Sequence, residues 1–277
     1  MTVIFGLLAA VSVGTSDFLG GLSSRRADPV AVTASSNLVG FGLACGAALG
    51  AAGQANATDV AWGVLGGAGL VGGLVALYAG YARTRVSVAA PVAGVGAAAL
   101  PVIVTSLLGE ESLSARATAG ILLGLVAIGL VSIARSDQRG SIGSSLLYGL
   151  GGAVGIGLLL LCLSRTSEDS GLWPVVAARG SGSMVLGLFI VATRVERPLP
   201  RMVWPHVVGI AALVTAGNAL FLAATRVGST SVAAVLTSLF TAVTVFWAWL
   251  VFRERLRGVQ TAGLVLALVA VGLVAAG

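Results

Sequence analysis

The amino-acid sequence predicts an all-α integral membrane protein with ten transmembrane helices, arranged as two inverted five-helix repeats. Three observations carry this prediction: an apolar composition, ten apolar runs of membrane-spanning length, and an internal repeat. Of the 277 residues, 57% are hydrophobic and only 9% are charged, and the mean hydropathy is +1.03. A soluble domain has roughly a quarter of its residues charged. Lipid must therefore cover most of the surface of this chain.

The apolar runs have the length of about 20 residues that a helix needs to cross the hydrocarbon core of a bilayer. No connector between them is long enough to fold alone, so residues 1–277 are predicted to form a single membrane domain. The predicted spans are Val3–Leu22, Val30–Ala51, Val60–Ala82, Val86–Leu108, Ala117–Ala134, Gly143–Leu163, Trp173–Ala192, Val207–Thr225, Ser229–Phe252 and Val259–Ala276.

Tryptophan and proline residues mark the starts of two predicted spans, and two further prolines lie inside a third. Trp–Pro pairs at 173–174 and 204–205 stand at the starts of the seventh and eighth spans. An indole ring prefers the depth of the lipid headgroups, and a proline in the first helical turn costs little. In the fourth span, Pro91 and Pro101 are predicted to interrupt the helix, either as a break beside a substrate path or as a static kink.

The two halves of the chain repeat each other with a constant offset of 143 residues. Arg83 falls on Arg226, Glu111 falls on Glu254, and several short apolar strings also coincide. The first repeat covers about residues 1–139 and the second about 140–277. Because each repeat holds five spans, an odd number, the second copy enters the membrane from the opposite side. This inverted topology is typical of secondary transporters.

The charge distribution predicts an orientation and excludes one class of partner. The sixteen basic residues are all arginines, and the formal net charge is +6. Twelve of them lie in connectors after odd-numbered spans and three in connectors after even-numbered spans. Since cytoplasmic loops are enriched in positive charge, the odd connectors are predicted to be cytoplasmic and both termini outside. The arginines orient helices in the membrane, so no nucleic-acid partner is expected.

Several segments resemble the repeat of a known transporter family. They are Val11–Arg26, Leu77–Pro91 and Leu107–Val131 in the first half, and TSLFTAVTVFWAWLVFRERLRGVQTAG at Thr237–Gly263 in the second. The chain resembles the EamA family of the drug/metabolite transporter superfamily over essentially its whole length. The resemblance implies ten helices, a central cavity and the export or uptake of small metabolites. Family members usually have both termini inside, which conflicts with the orientation that the arginines predict.

Two ionisable residues fall inside predicted spans, Asp17 late in the first and Arg179 in the seventh. A carboxylate at the bilayer centre costs about 2.5–3.5 kcal/mol on insertion scales, so one that persists there usually faces a cavity. Asp17 is predicted to bind a cation or a coupling proton, unless it lies at the interface and only reaches water. Arg179 is predicted to attract a carboxylate or phosphate group or to pair with Asp17, unless its side chain snorkels to the surface.

Amide and aromatic residues inside the spans extend the predicted substrate site. Asn37 and Asn218 are suited to hydrogen-bond a substrate, although amides in membranes more often join helices. Tyr78 and its repeat mate Phe221 lie where members of the resembled family line the cavity with aromatic rings, with ordinary packing as the alternative.

Threonines of the ninth span follow helical spacing. Thr237, Thr241 and Thr244 occupy positions i, i+4 and i+7, which places them on one polar stripe. Because threonine hydroxyls also bond to the preceding turn, the stripe by itself is weak support for a site. The predicted substrate-binding residues are Asp17, Asn37, Tyr78, Arg179, Asn218, Phe221, Thr237 and Thr241.

These features predict a secondary transporter, an exporter or permease, that moves a small metabolite by alternating access between the inverted repeats. The alternative is a non-transporting membrane scaffold or lipid-handling protein. The sequence has no HExxH, GxSxG or Walker A motif, so no enzyme activity, cofactor, metal or catalytic residue is expected. The expected partners are a small-molecule metabolite, the lipid bilayer of the inner (plasma) membrane, and a coupling proton if Asp17 titrates. Substrate identity, direction of transport and oligomeric state do not follow from the sequence.

Overall fold

The computed structural model describes residues 1–107, 115–133, 141–194, 198–227, 236–237, 239–252 and 258–275. Within these residues it contains ten α-helices of at least 13 residues and two single-turn 3-10 helices at Glu168–Ser170 and Arg201–Val203. The α-helices are α1 Thr2–Ser23, α2 Pro29–Gly50, α3 Ala57–Arg83, α4 Val86–Leu107, α5 Ala115–Ile133, α6 Ile142–Ser164, α7 Trp173–Thr193, α8 Trp204–Arg226, α9 Phe240–Phe252 and α10 Gly258–Ala275.

Six of the described helices, α1, α2, α3, α6, α7 and α8, are long and apolar enough to cross a membrane. Shorter apolar stretches occur at Val86–Ala97 in α4, Phe240–Val251 in α9 and Thr261–Ala270 in α10. The described part of the chain is thus helical and multi-pass, as the composition predicts. Residues 228–235, at the start of the predicted ninth span, and the repeat-matched Glu111 and Glu254 lie outside the described residues.

Local sequence sets where several helices begin. α7 and α8 start at their Trp–Pro pairs, 173–174 and 204–205, as predicted. α2 starts after Asp28, whose Oδ1 accepts a hydrogen bond from the Val30 N–H at 2.8 Å. α3 starts after Asn56, whose Oδ1 accepts one from the Asp59 N–H at 2.8 Å. Such side-chain acceptors satisfy backbone donors that the first helical turn leaves free.

The fourth helix is not broken at its prolines, because α4 runs continuously through Pro91 and Pro101, and of the two predicted alternatives the static kink stays a prediction. Neighbouring packing explains why the helix is continuous. Ala89 and Val92, on either side of Pro91, are buried, and both lie against Gly149 of α6. A proline is tolerated inside a membrane helix when packed neighbours hold that segment in place.

Helices of the first half pack mainly on helices of the second half. α3 packs on α6 and α7, α1 on α8 and α9, α2 on α7 and α8, α4 on α6, and α5 on α10. Glycines allow the closest crossings: a Cβ placed on Gly73 of α3 would lie 2.7 Å from the Cα of Gly155 of α6. Large apolar side chains such as Leu188 and Phe246 are exposed, which suits helix faces that contact lipid.

Candidate functional site

A cavity lies between helices of the two halves. The cavity and the open solvent at its mouth together span about 760 Å³. The walls come from α1, α3, α6 and α8, with two residues of the ninth span, and most of them are apolar. The lining residues are Val13, Asp17, Leu70, Leu74, Ile156, Leu159, Leu160, Leu163, Val214, Gly217, Asn218, Phe221, Thr237 and Phe240.

Asp17 is the one charged side chain among the described residues that line this cavity. Its side chain is 2% exposed, and its Oδ2 has no hydrogen-bond partner within the described structure. The other polar side chains of the wall are Asn218 and Thr237, and the Thr237 hydroxyl also lacks a partner there. The cavity therefore offers a carboxylate, an amide and a hydroxyl inside an otherwise apolar enclosure.

Contacts with α9 hold the segment of α1 that carries Asp17. The Thr244 hydroxyl donates to the Gly14 carbonyl at 3.1 Å, and the Trp247 indole N–H donates to the Thr15 hydroxyl at 3.1 Å. The Phe18 and Trp247 rings stack with their centroids 6.2 Å apart. The two hydrogen bonds precede Asp17 in sequence and the ring contact follows it, so together these contacts hold the segment of α1 whose carboxylate lines the cavity.

Arg179 lies outside the cavity wall, between helices. It is 3% exposed, and its Nη1 donates to Asn37 Oδ1 of α2 at 3.2 Å. The Asn37 amide in turn donates to the Thr33 carbonyl at 3.0 Å. The predicted Asp17–Arg179 pair is not formed between these two described side chains, because Arg179 is directed to Asn37 on α2 while Asp17 faces the cavity from α1.

Tyr78 of α3 is buried near both Asp17 and Arg179. The outer end of its ring packs against Gly20, one helical turn from Asp17 on α1. Its side chain is fully buried, and its hydroxyl has no partner among the described residues. A side chain is accommodated here only because Gly20 has none.

Four of the eight predicted site residues line the cavity: Asp17, Asn218, Phe221 and Thr237. Asn37, Tyr78, Arg179 and Thr241 are buried behind the wall. The predicted threonine stripe does not form one surface, because Thr237 faces the cavity, Thr241 packs on Gly94 of α4, and Thr244 bonds to α1. The apolar wall residues were missed, and apolar residues that line a cavity carry no distinguishing signal in a chain this hydrophobic.

A second polar cluster joins the start of α3 to the connector between α6 and α7. Asp59 is 3% exposed, and its Oδ2 accepts hydrogen bonds from Asn56 Nδ2 at 2.6 Å, from Ser167 Oγ at 2.5 Å and from Ser170 Oγ. Its Oδ1 accepts one from the Ser167 N–H at 3.2 Å. Both oxygens of the carboxylate accept hydrogen bonds from these donors. Because the serines belong to the second half of the chain and Asp59 to the first, the cluster joins the two halves.

Comparison with known proteins identifies the family. Residues 143–276 match the model of the EamA-like transporter family. The second half of the chain is therefore similar to this family. The match confirms the resemblance to the drug/metabolite transporter superfamily and coincides with the second predicted repeat, about 140–277. An EamA-like half indicates a membrane transporter with a small-molecule substrate.

A solved structure described only as "Crystal structure of protein" aligns with 98% of this chain and 95% of its own, with a TM-score of 0.68 and 17% sequence identity. At that identity the likeness shows a shared fold alone. No curated protein sequence matches the chain. The EamA-like half supplies the α6 and α8 walls of the cavity, while Asp17, Leu70 and Leu74 come from the half that precedes the match.

Proposed function

We propose that this protein is a secondary transporter that carries a small amphipathic metabolite through the cavity between its halves by alternating access. The observation that carries the proposal is the Asp17 carboxylate, buried and without a partner in the described structure, at the wall of an apolar cavity. A polar group that persists inside a membrane domain without a protein partner is a functional site by default.

The helix contacts support two inverted repeats of five spans each. If residues 1–139 and 140–277 are related by a two-fold axis, each contact between halves has a mate in which the helices exchange roles. The packing of α3 on α6 is mated by α1 on α8, α4 on α6 by α1 on α9, and α3 on α7 by α2 on α8. In such an architecture, exchanging the conformations of the two repeats moves access from one side of the site to the other.

The composition of the wall favours a substrate with an apolar body and a cationic or hydrogen-bond-donating head. Leucine, isoleucine, valine and phenylalanine side chains surround most of the cavity, so they match an aliphatic or aromatic body. A protonated amine beside Asp17 neutralises the carboxylate, which removes the cost of an unpaired buried charge. In this proposal Asn218 and Thr237, which line the same cavity, bond the head group, and Phe221 packs on the body.

Asp17 is also the residue that carries a coupling proton in this proposal. A proton and a cationic head group compete for the same carboxylate, so loading of one favours release of the other. The site then exchanges a proton for substrate across the inner (plasma) membrane. No metal, cofactor or covalent chemistry takes part, and the protein acts as an exporter or permease and not as an enzyme.

Counterflow in proteoliposomes tests the proposal. Proteoliposomes that contain the purified wild-type protein are preloaded with one unlabelled amine from a panel. They are expected to accumulate the same amine in radiolabelled form from the outside. Asp17→Asn is expected to abolish or decouple this counterflow while the protein still inserts and purifies. Asp169→Asn, a carboxylate-to-amide change at an exposed connector position, serves as the matched control. Absence of counterflow for every amine and other metabolite tried would instead favour a scaffold or lipid-handling protein.

A further inference from the structure

The guanidinium of Arg179 is a buried cation whose charge is not neutralised by its protein partner. Its one described hydrogen bond goes to Asn37 Oδ1, a neutral acceptor, at 3.2 Å. Its Nη2 has no partner within the described part of the chain. Arg179 is only 3% exposed, so its guanidinium lies away from bulk water. A buried guanidinium favours two parallel hydrogen bonds to a carboxylate or phosphate.

An unfilled notch lies beside this guanidinium on the surface of α2. Gly40, one turn after Asn37, carries no side chain. A Cβ placed there would lie 3.6 Å from both Cδ and Nε of Arg179 and 3.5 Å from the Thr215 hydroxyl of α8. The Thr215 hydroxyl is buried and also lacks a partner in the described residues. The Nε edge of the Arg179 guanidinium and the unpartnered Thr215 hydroxyl, from different helices, therefore both lie beside one glycine.

The charged and titratable groups around Arg179 leave the notch without a counter-ion. Asp17 of α1 lines the cavity and does not bond to Arg179. Tyr78 of α3 interacts with Arg179 electrostatically, but a phenol is neutral at physiological pH. In the described structure no carboxylate pairs with Arg179. The protein thus holds a positive charge in its membrane domain that a ligand can neutralise.

We propose that Arg179, Asn37 and Thr215 form an anion subsite over Gly40, separate from the Asp17 wall, that takes the carboxylate group of a small organic acid. Arg179 donates two hydrogen bonds to the carboxylate, Thr215 donates a third, and Asn37 holds the guanidinium in position. Val214 and Asn218, beside Thr215 on α8, line the cavity, so the apolar body of the ligand extends towards it. This subsite rests on the proposed function for its physiological role, but its ligand chemistry follows from the side chains alone.

Binding of two probes that share one apolar body tests the subsite. The probes are 3-phenylpropionate and the neutral 3-phenylpropionamide, each titrated into the purified full-length protein in detergent, with binding followed by the shift in thermal stability. Wild-type protein is expected to bind the carboxylate at least about tenfold more tightly than the amide, as the loss of charge-assisted hydrogen bonds implies. Equal affinity for the two probes overturns the proposal.

Two variants separate recognition of the anion from a structural role of Arg179. Arg179→Gln is expected to remove the preference for carboxylate over amide. Gly40→Ala retains the charge and fits at ordinary contact distance, yet it fills the notch and is expected to weaken carboxylate binding selectively. Gly42→Ala, with nothing within 4 Å of the added Cβ, is the matched control on α2. Retention of the full carboxylate preference by Gly40→Ala overturns the proposal even if Arg179→Gln fails to fold.

The outcomes distinguish this proposal from the proposed function. Selective carboxylate binding without counterflow of any metabolite overturns the transporter and supports the subsite. Counterflow of an amine that needs Asp17, in a protein that binds 3-phenylpropionate and its amide equally, supports the transporter and overturns the subsite.

Discussion

A single methyl group at Gly67 is expected to separate two helices that carry the candidate site. Gly67 of α3 faces the backbone of Ala178, the residue before Arg179 in α7. A Cβ at position 67 would lie 2.5 Å from the carbonyl carbon of Ala178 and closer still to its Cα and O, whereas ordinary contact begins at 3.4 Å. The helix axes must therefore move apart by about 1 Å, within the spread of axis separations set by contact residues.

The size of the effect follows from two opposing terms. Overpacking of this kind costs about 1–3 kcal/mol, and it is not relieved by rotating a side chain because the contacted atoms are backbone. Replacing glycine by alanine inside a helix contributes up to about 1 kcal/mol in the opposite direction. Gly72→Ala, on the exposed side of the same helix with nothing within 4 Å, receives only the second term. Because both variants receive the second term, it cancels, and the two should differ by the first term alone, about 1–3 kcal/mol in the free energy of unfolding.

Unfolding of both variants in mixed micelles with increasing SDS, followed by tryptophan fluorescence, measures this difference. The same variants are then compared for binding of 3-phenylpropionate, which Gly67→Ala should weaken because the shift of α7 moves Arg179 from Asn37. If Gly67→Ala is as stable as Gly72→Ala, the α3–α7 crossing is not as close as described, and the argument from its packing fails.

Three other predictions follow from the described contacts and the charge pattern. Asp59→Asn should lower the free energy of unfolding by about 1.5–3 kcal/mol, because charge-assisted bonds from serine and asparagine are lost; Asp169→Asn, at an exposed position, should not. Trp247→Phe removes the bond to Thr15 but keeps the ring, so a loss of about 0.6 kcal/mol is expected in the same SDS titration. A C-terminal reporter that is active only in the cytoplasm should stay inactive, since the arginine distribution places both termini outside; reporter activity would reverse the orientation.

The sequence determined much of the helical layout because the signal for a membrane helix is local. A run of about 20 apolar residues satisfies its own backbone hydrogen bonds wherever it lies in the bilayer, so its position can be read without knowing its neighbours. The starts of α7 and α8 at their Trp–Pro pairs are of this kind. The EamA resemblance, confirmed for residues 143–276, also rests on contiguous segments.

The sequence did not determine that Arg179 bonds to Asn37 and not to Asp17, nor that α4 is continuous through Pro91. Both depend on which neighbour occupies the adjoining space. Arg179 of α7 bonds to Asn37 because α2 packs on α7, and α4 stays intact because α6 packs beside Pro91. Such contacts join residues up to 142 positions apart in the chain.

Only the tertiary structure decided which face of each helix meets the cavity. In a soluble helix, the contrast between polar and apolar faces indicates the rotation about its axis. A membrane helix lacks that contrast, because lipid and protein interior are both apolar and glycine contacts set the rotation instead. The chain alone identified Asp17 and Asn37 as polar residues inside predicted spans, and packing placed Asp17 in the cavity wall and Asn37 behind it on Arg179.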